Sequence, residues 1–273
     1  MPHRITESDS LYDHLESKSS LNILSEINAE DQKVALAVAE VIPKIKPLVD
    51  LLSDNFEAGG RLFYIGAGTS GRLGILDASE IPPTYGMPHD RVIGLIAGGD
   101  TAIRKAVEHA EDHSTQAWKD LEAFSINPLD VLVGIAASGT TPYVLGGLEA
   151  AKKAGIPTAC VTNNPGSPIG KIADYPIEVA VGPEYVTGST RMKSGTAQKL
   201  ILNMISTAYM IKAGRVKGNK MVHMQLSNDK LVYRGATYIA EATALSRTEA
   251  AALLKEHGSV HAAIEAYHRS KTK

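Results

Sequence analysis

The amino-acid sequence predicts an α/β protein built on a doubly wound parallel sheet, and two observations support that prediction. First, short apolar runs rich in β-branched and aromatic residues alternate with helical patterns after Gly60, as in parallel strands joined by crossover helices. Second, loops rich in Gly, Ser and Thr follow two of these runs, at the strand ends where such sheets bind ligands. The predicted strands are 61–65, 92–96, 131–135, 157–162 and 176–181, with helices near 71–80, 101–112, 114–123 and 142–154.

The N-terminal part of the chain is predicted to be an irregular arm followed by two helices. Residues 1–20 are polar and rich in serine, without a helical apolar pattern. Asn28 is a suitable N-cap for a helix that continues to about Val41. Pro43 then permits a second helix, which should end at Gly59.

The C-terminal part is predicted to be helical. The longest helix should span about 190–213, because this stretch has an apolar side and Gly214 follows it as a natural stop. Beyond Gly218 only helices are expected, with N-caps at Asn228 and Ser246, the latter within a capping box. These helices form a small appendage to the sheet domain.

Composition excludes several classes of protein. The 273 residues are 44% hydrophobic and 21% charged, as in a globular protein with a sizeable core. A net charge of −2 without a basic stripe gives no support for nucleic-acid binding. The single cysteine, Cys160, lies in an apolar run and is expected to be a buried small hydrophobic residue. A single cysteine is also consistent with a protein of a reducing compartment. With no apolar leader and no run of eighteen apolar residues, a cytoplasmic protein without membrane contact is expected.

Two loops of similar composition point to a phosphate-bearing ligand. The first, Gly66–Arg72, follows the strand 61–65, and the second, Ala137–Pro142, follows the strand 131–135. Each should open a helix, where unpaired backbone N–H groups and the helix dipole attract anions and where hydroxyl groups add donors. Since one such loop is common in α/β proteins without ligands, the pair carries the prediction.

Nucleotide-binding motifs fit the first loop badly. Gly66, Gly68 and Gly71 complete a G-x-G-x-x-G pattern, yet no acidic residue follows a second strand about twenty residues on, where a ribose hydroxyl would need it. A P-loop is excluded because no Lys precedes Ser or Thr after the glycines. A phosphosugar protein is therefore the favoured interpretation.

A third segment, Thr187–Gly195, is rich in hydroxyl groups and opens the longest predicted helix. Capping alone would explain its serines and threonines. Arg191 and Lys193 would place two cations in the first turn, where the helix dipole disfavours them, and this favours anion binding.

Several carboxylates are candidates for acid–base chemistry. Glu80 should end the first helix after the glycine loop, because two prolines follow it. Glu108 and Glu111 should lie one turn apart on the helix 101–112; a solvated face is the alternative for all three. His109 and His113 have the spacing of two metal ligands but lack the other elements of a zinc motif, so no metal site is predicted.

Six segments together closely resemble a known family. They are Ile65–Glu80, Pro82–Gly86, Ala136–Gly139 with Thr141–Val144, Val186–Ser189, and Arg191–Lys199. The chain resembles the N-acetylmuramic acid 6-phosphate etherases, which belong to the sugar isomerase (SIS) domain superfamily. The resemblance implies a cytoplasmic enzyme of cell-wall recycling that forms a homodimer. Such an enzyme eliminates D-lactate from an open-chain sugar phosphate and then adds water. It implies no metal or organic cofactor.

The resemblance also assigns site residues. It places the two catalytic glutamates of the family at Glu80 and Glu111. The residues implied to bind the phosphosugar share hydroxyl, guanidinium or free backbone N–H groups and are Gly68, Thr69, Ser70, Ser138, Gly139, Thr141, Ser189 and Arg191. This chain departs from the family at Thr140, where the family usually has Arg, and at Lys273, where it ends earlier than expected.

Together these observations predict three parts: an N-terminal arm with helices over 1–54, a phosphosugar-binding SIS-type domain over 55–217, and a C-terminal helical segment over 218–273. Two alternatives stay open. An aldose–ketose phosphosugar isomerase would use the same loops with one base, and a non-catalytic phosphosugar sensor would need neither glutamate. The presence of both glutamates favours the etherase over the sensor, and the specific match from Asp77 to Gly86 favours it over the isomerase.

Overall fold

A five-stranded parallel sheet forms the centre of the protein and confirms the predicted α/β class. The computed structural model describes residues 4–226 and 228–271. The strand order is β2-β1-β3-β4-β5, so the chain winds in both directions from β1 and β3. The strands are β1 (Leu62–Gly66), β2 (Val92–Ile96), β3 (Val131–Ile135), β4 (Thr158–Thr162) and β5 (Tyr175–Glu178).

Helices precede, connect and follow the strands. They are α1 (Ser20–Asp54), α2 (Gly68–Tyr85), α3 (Gly99–Arg104), α4 (Gln116–Glu122), α5 (Pro142–Lys153), α6 (Pro168–Ile172), α7 (Lys193–Lys212), α8 (Asp229–Thr243), α9 (Arg247–His257) and α10 (Val260–Lys271). Single turns of 3₁₀-helix occur at Ile5–Glu7, Leu15–Ser17 and Ala110–Asp112.

The N-terminal helix is one continuous element, so the prediction of two helices with a cap at Asn28 was wrong. α1 begins after Ser19, whose side chain accepts a hydrogen bond from Asn22 N, and it continues through Pro43. A proline inside a helix removes one backbone hydrogen bond. The apolar stripe of α1 nevertheless continues through this point with buried Val41 and Ile45, and packing against β5 holds the helix together.

The sheet and most of its helices form one compact unit, which extends up to Ser79 and from Asp90 to Ser206. All residues of β1, β3 and β4 are buried. Asp130, just before β3, accepts hydrogen bonds from the backbone and guanidinium of Arg61, just before β1, at 2.7–3.0 Å. Cys160 is buried as predicted, and burial raises the pKa of its thiol to about 12, so this thiol is unreactive at neutral pH.

A second compact unit comprises Glu80–His89 and the chain from Thr207 onward. Its core is formed by α8, α9 and α10. The predicted caps at Asn228 and Ser246 are confirmed, and Ser246 with Glu249 forms a complete capping box. The expectation of helices alone beyond Gly218 was wrong, since Val216–Lys217 pairs with Lys220–Met221 in a short antiparallel hairpin (β6 and β7). The predicted three-part division of the chain stays a prediction.

In the part of the chain that the structure describes, no helix has the length and apolar character needed to cross a membrane.

Candidate functional site

The two Ser/Thr-rich loops lie at neighbouring strand ends. β1 and β3 are adjacent and parallel, with Gly66 opposite Ile135 at their carboxyl ends. The β1–α2 junction (residues 66–72) and the β3–α5 loop (residues 136–141) therefore leave the same edge of the sheet. This arrangement confirms the prediction that both loops lie at the carboxyl ends of strands, the usual ligand-binding position in such sheets.

In the β1–α2 junction, α2 begins at Gly68, three residues earlier than predicted. Gly68 has φ +52°, a conformation that favours glycine. Thr69 and Ser70 consequently lie in the first helical turn, where the backbone N–H groups have no helical acceptor. Ser70 is buried and donates to Gln198 Oε1 at 2.9 Å. Thr69 is half-buried and lines a surface depression with Arg191 and Lys199.

The β3–α5 loop presents the hydroxyl group of Ser138. Ser138 Oγ accepts hydrogen bonds from Thr140 N at 3.3 Å and from Thr140 Oγ1 at 3.2 Å. Thr141 precedes α5 without making a side-chain capping bond, and Pro142 occupies the first turn. The hydroxyl of Ser138 and the N-terminal turn of α5 can thus serve a bound anion.

Gly139 gives this loop its shape. Its φ is +68°, and an added Cβ would lie 2.3 Å from the Cβ and Oγ of Ser167 and 2.7 Å from Thr162 Oγ1. Both the backbone conformation and the close approach of α6 require glycine here.

A cavity of about 200 Å³ brings residues of the first junction together with two of the candidate glutamates. Gly68 and Arg72 line one part of this cavity, and Glu108 and Glu111 line another. Arg72 Nε donates to Ile103 O at 2.9 Å, which ties α2 to α3, the helix that precedes the glutamates. We call this the junction cavity.

The helix predicted over 101–112 is interrupted, so Glu108 and Glu111 are not one turn apart on a helix. α3 ends at Arg104, its C-cap Lys105 has an extended backbone, and His109 has φ +59°. Glu108 lies in a turn, whereas Glu111 lies in the 3₁₀ turn. His109 and His113 consequently lack the helical spacing considered above, and within residues 4–226 and 228–271 no cluster of His, Cys, Asp and Glu could hold a metal ion.

Glu80 is exposed on α2 and belongs to the second compact unit, whereas Glu111 belongs to the first. The predicted helix end at Glu80 was wrong, because α2 continues through Pro82 and Pro83 to Tyr85. Gly86, with φ +64°, ends this helix and donates to Pro82 O at 2.9 Å. That both glutamates act on one sugar stays a prediction.

Ser189 and Arg191 lie in the α7 entry segment (residues 184–192), since α7 begins at Lys193 rather than at Thr190. The predicted pair of cations in the first turn was therefore wrong. Arg191 precedes the helix and is exposed, whereas the ammonium of Lys193 is buried against Glu30 Oε2 at 2.6 Å. Only Arg191 of these two is accessible to a ligand.

A carboxylate that was not predicted from the sequence occupies the N-terminus of α7. Glu184 is buried and accepts hydrogen bonds from Lys193 N at 2.8 Å and from Ser194 N at 2.9 Å. Asn163 and Gln198, which are bonded to each other at 3.2 Å behind Ser70, were not predicted either. An acidic residue nine positions before a helix carries no sequence signal for capping, so these partners were not predictable.

Comparisons with known proteins agree with this architecture. Residues 103–208 match the SIS domain family, and residues 41–152 match the family described as glucokinase regulatory protein N-terminal SIS domain. A phosphoheptose isomerase from Neisseria gonorrhoeae superposes with a TM-score of 0.54 at 18% identity, covering 70% of this chain and 98% of that one. Fold and loops together define a SIS-domain protein.

Relatives at much higher identity specify the family within that class. The chain is 62% identical over 266 residues to an N-acetylmuramic acid 6-phosphate etherase of Bacteroides thetaiotaomicron, covering 97% of this chain and 96% of the relative. It is 54% identical to one of Aliivibrio salmonicida, covering 92% of this chain and 84% of the relative. The chain belongs to the N-acetylmuramic acid 6-phosphate etherase family.

Proposed function

We propose that this protein cleaves the D-lactyl ether of N-acetylmuramic acid 6-phosphate and releases D-lactate and N-acetylglucosamine 6-phosphate. The observation that carries this proposal is the identity of about 60% with relatives of that name over 97% of the chain. The arrangement of the site supports it, because two loops suited to phosphate and a glutamate-lined cavity lie on the same compact unit.

The phosphate group would be held by backbone and hydroxyl donors. Ser138 offers its hydroxyl group, and Thr69 and Thr141 lie at the N-terminal turns of α2 and α5. Hydrogen bonds to a charged oxygen are each worth roughly 1.5–3 kcal/mol. Ser189 and Arg191 would add contacts from the α7 entry segment. Ser70 has a structural role towards Gln198 and would contribute through its backbone N–H.

The reaction would proceed through the open-chain sugar. The aldehyde at C1 acidifies the C2 proton, so that a carboxylate can remove it. A second carboxyl group protonates the departing lactate oxygen, because an alkoxide is a poor leaving group. Addition of water to the resulting unsaturated aldehyde then restores the sugar with a hydroxyl group at C3. We assign the base to Glu111, which lines the junction cavity, and the acid to Glu80.

The first test is direct. Incubation of the protein with N-acetylmuramic acid 6-phosphate in water enriched in heavy oxygen should release D-lactate and leave solvent oxygen at C3 of the sugar. Elimination followed by addition of water breaks the bond between the sugar carbon and the ether oxygen, so lactate should carry no label. Labelled lactate would exclude this route. Tight binding of the phosphosugar without lactate would favour the sensor, and ketose formation the isomerase.

We also propose that the protein is a homodimer. In the first unit, Leu73 and Leu200 line one surface depression, which shows that α2 and α7 adjoin there. Leu76 and Met204, one turn further along, are 41% and 37% exposed. Exposed apolar side chains on two adjoining helices fit an interface with a second copy of the chain. Light scattering after gel filtration should give twice the mass of the chain, and Leu76→Glu with Met204→Glu should give the monomer. A monomeric wild-type protein would contradict the proposal.

A reducing cytoplasm is the location that we propose. Cys160 is a buried free thiol, and the proposed substrate is a phosphorylated sugar. Fractionation of cells that produce the protein would test this location.

A further inference from the structure

The N-terminal arm (residues 4–19) is hydrogen-bonded to the residues that support the β3–α5 loop. Thr6 is 1% exposed. Its backbone N–H donates to Asn164 Oδ1 at 3.3 Å, and Asn164 Nδ2 donates back to Thr6 Oγ1 at 2.8 Å. The same amide nitrogen donates to Ala137 O at 3.1 Å. Because Ala137 directly precedes Ser138, the side chain of Asn164 links the arm to the β3–α5 loop.

The arm also holds the α7 entry segment. Ser10 Oγ donates to Tyr185 O at 2.7 Å, and Ser10 N donates to Thr187 Oγ1 at 2.9 Å. The rings of Tyr12 and Tyr185 lie 5.0 Å apart, within the range of attractive aromatic pairs. These contacts fix the backbone immediately before Ser189 and Arg191.

A buried charge network lies at the C-terminal end of the α7 entry segment. Glu30 and Lys193 are each 2% exposed, and Glu30 also accepts hydrogen bonds from Lys33 Nζ at 2.6 Å and Tyr12 Oη at 3.0 Å. Replacing a buried ion pair by apolar residues is often neutral for stability or stabilising, so stability alone does not account for this pair. What the network supplies is a fixed position for the start of α7 relative to α1 and the arm.

We propose that the arm, together with Glu30, is a positioning element for substrate binding. It holds the β3–α5 loop through Thr6 and the α7 entry segment through Ser10 and Tyr12, and so sets the spacing between Ser138 and the pair Ser189 and Arg191. The inference rests on the proposed function in one respect, namely that these two segments bind the phosphosugar. None of the arm residues is a catalytic residue; they act through the loops that they hold.

The test uses Thr6→Val, which keeps the shape of the side chain and removes the acceptor of Asn164 Nδ2. One lost hydrogen bond corresponds to roughly 0.5–1.5 kcal/mol, or about two- to tenfold in affinity. We expect the Kd for N-acetylglucosamine 6-phosphate, measured by titration calorimetry, and the KM for lactate release both to rise by about that factor. The kcat should stay within about twofold, because the groups that transfer protons are unchanged. Ser10→Ala should act in the same direction from the other segment.

Two variants separate positioning from folding. Thr6→Ser restores the hydroxyl group and should restore the wild-type Kd and KM. Thr237→Val removes a hydroxyl group that donates within α8, to Tyr233 O at 2.9 Å, and should leave both constants unchanged. Wild-type constants in Thr6→Val and Ser10→Ala would overturn the proposal. A lower Tm and a lower kcat in Thr6→Val that Thr6→Ser does not restore would also overturn it.

The affinity measurement also separates this inference from the proposed activity. It needs binding but no turnover, so a wild-type protein that binds N-acetylglucosamine 6-phosphate without releasing lactate would overturn the etherase activity alone. A wild-type protein that does not bind this phosphosugar would overturn both.

Discussion

Replacing Glu111 by Gln is expected to lower the rate of D-lactate release by about 10²–10⁴-fold, the usual contribution of a general acid or base. Gln keeps the size and the hydrogen-bonding capacity of the side chain but cannot take up a proton. Because Glu111 is exposed, the variant should keep the Tm of the wild-type protein. Coupled detection of D-lactate, with the Tm measured on the same preparation, would check both expectations.

A neighbouring glutamate provides the control. Glu108 lines the same cavity and is also exposed, so Glu108→Gln changes the charge of the junction cavity by the same amount. If Glu111 acts as the base, Glu108→Gln should retain nearly full activity. Equal losses in both variants would indicate a general effect of charge on substrate binding, and full activity in Glu111→Gln would make Glu111 an ordinary surface carboxylate.

Glu80→Gln should lose lactate release to a similar extent but differ in one respect. Exchange of the C2 proton with deuterated water requires only removal and return of that proton. The Glu111→Gln variant should therefore lose exchange, whereas Glu80→Gln should retain it, because the acid acts on the leaving group. The opposite pattern would reverse the two assignments.

The second large effect is expected for Gly139→Ala, at the turn of the β3–α5 loop. A left-handed backbone costs an L-residue about 1–2 kcal/mol, and forcing a methyl group into a packed site costs about 1–3 kcal/mol more. The sum, roughly 2–5 kcal/mol of unfolding free energy, should be visible in urea or thermal denaturation. Since Ser138 is the adjacent residue, the Kd for the phosphosugar should also rise by about ten- to a hundredfold.

Gly155→Ala is the matched control for this prediction. Gly155 has φ +74°, close to that of Gly139, but an added Cβ would meet nothing within 4 Å. This variant should lose only the conformational part, about 1–2 kcal/mol, and should bind the phosphosugar normally. Equal destabilisation of Gly139→Ala and Gly155→Ala, with an unchanged Kd for the phosphosugar, would show that the close packing of Gly139 against Ser167 does not contribute to binding.

Local patterns explain why much of the fold was predictable. The strand pattern in β1 and β3 and the capping box at Ser246 depend on residues close together in sequence, so the sequence contained the information. The two phosphate-type loops were predictable for the same reason, because a strand, a glycine turn and a hydroxyl-rich helix start are contiguous in the chain.

Where local signals conflicted with packing, the sequence interpretation was wrong. Pro43 and Pro82 were read as helix boundaries, yet both lie inside helices whose buried faces continue past them. The helix expected over 101–112 failed for a related reason, because Lys105 and His109 adopt extended and left-handed conformations in the tertiary structure. Intrinsic preference is a weak signal when tertiary contacts oppose it.

The sequence by itself determined the α/β class, the order of most elements and the two hydroxyl-rich loops, since each depends on neighbouring residues. Only the tertiary structure decided what those loops contact. The sequence indicated that Lys193 binds an anion, whereas in the structure it pairs with Glu30, 163 positions away. Thr6 was predicted to lie in an irregular arm, and in the structure it is hydrogen-bonded to Asn164, 158 positions away. A buried charge or hydroxyl group must find a partner when it leaves water, and that partner is chosen by the fold rather than by position along the chain.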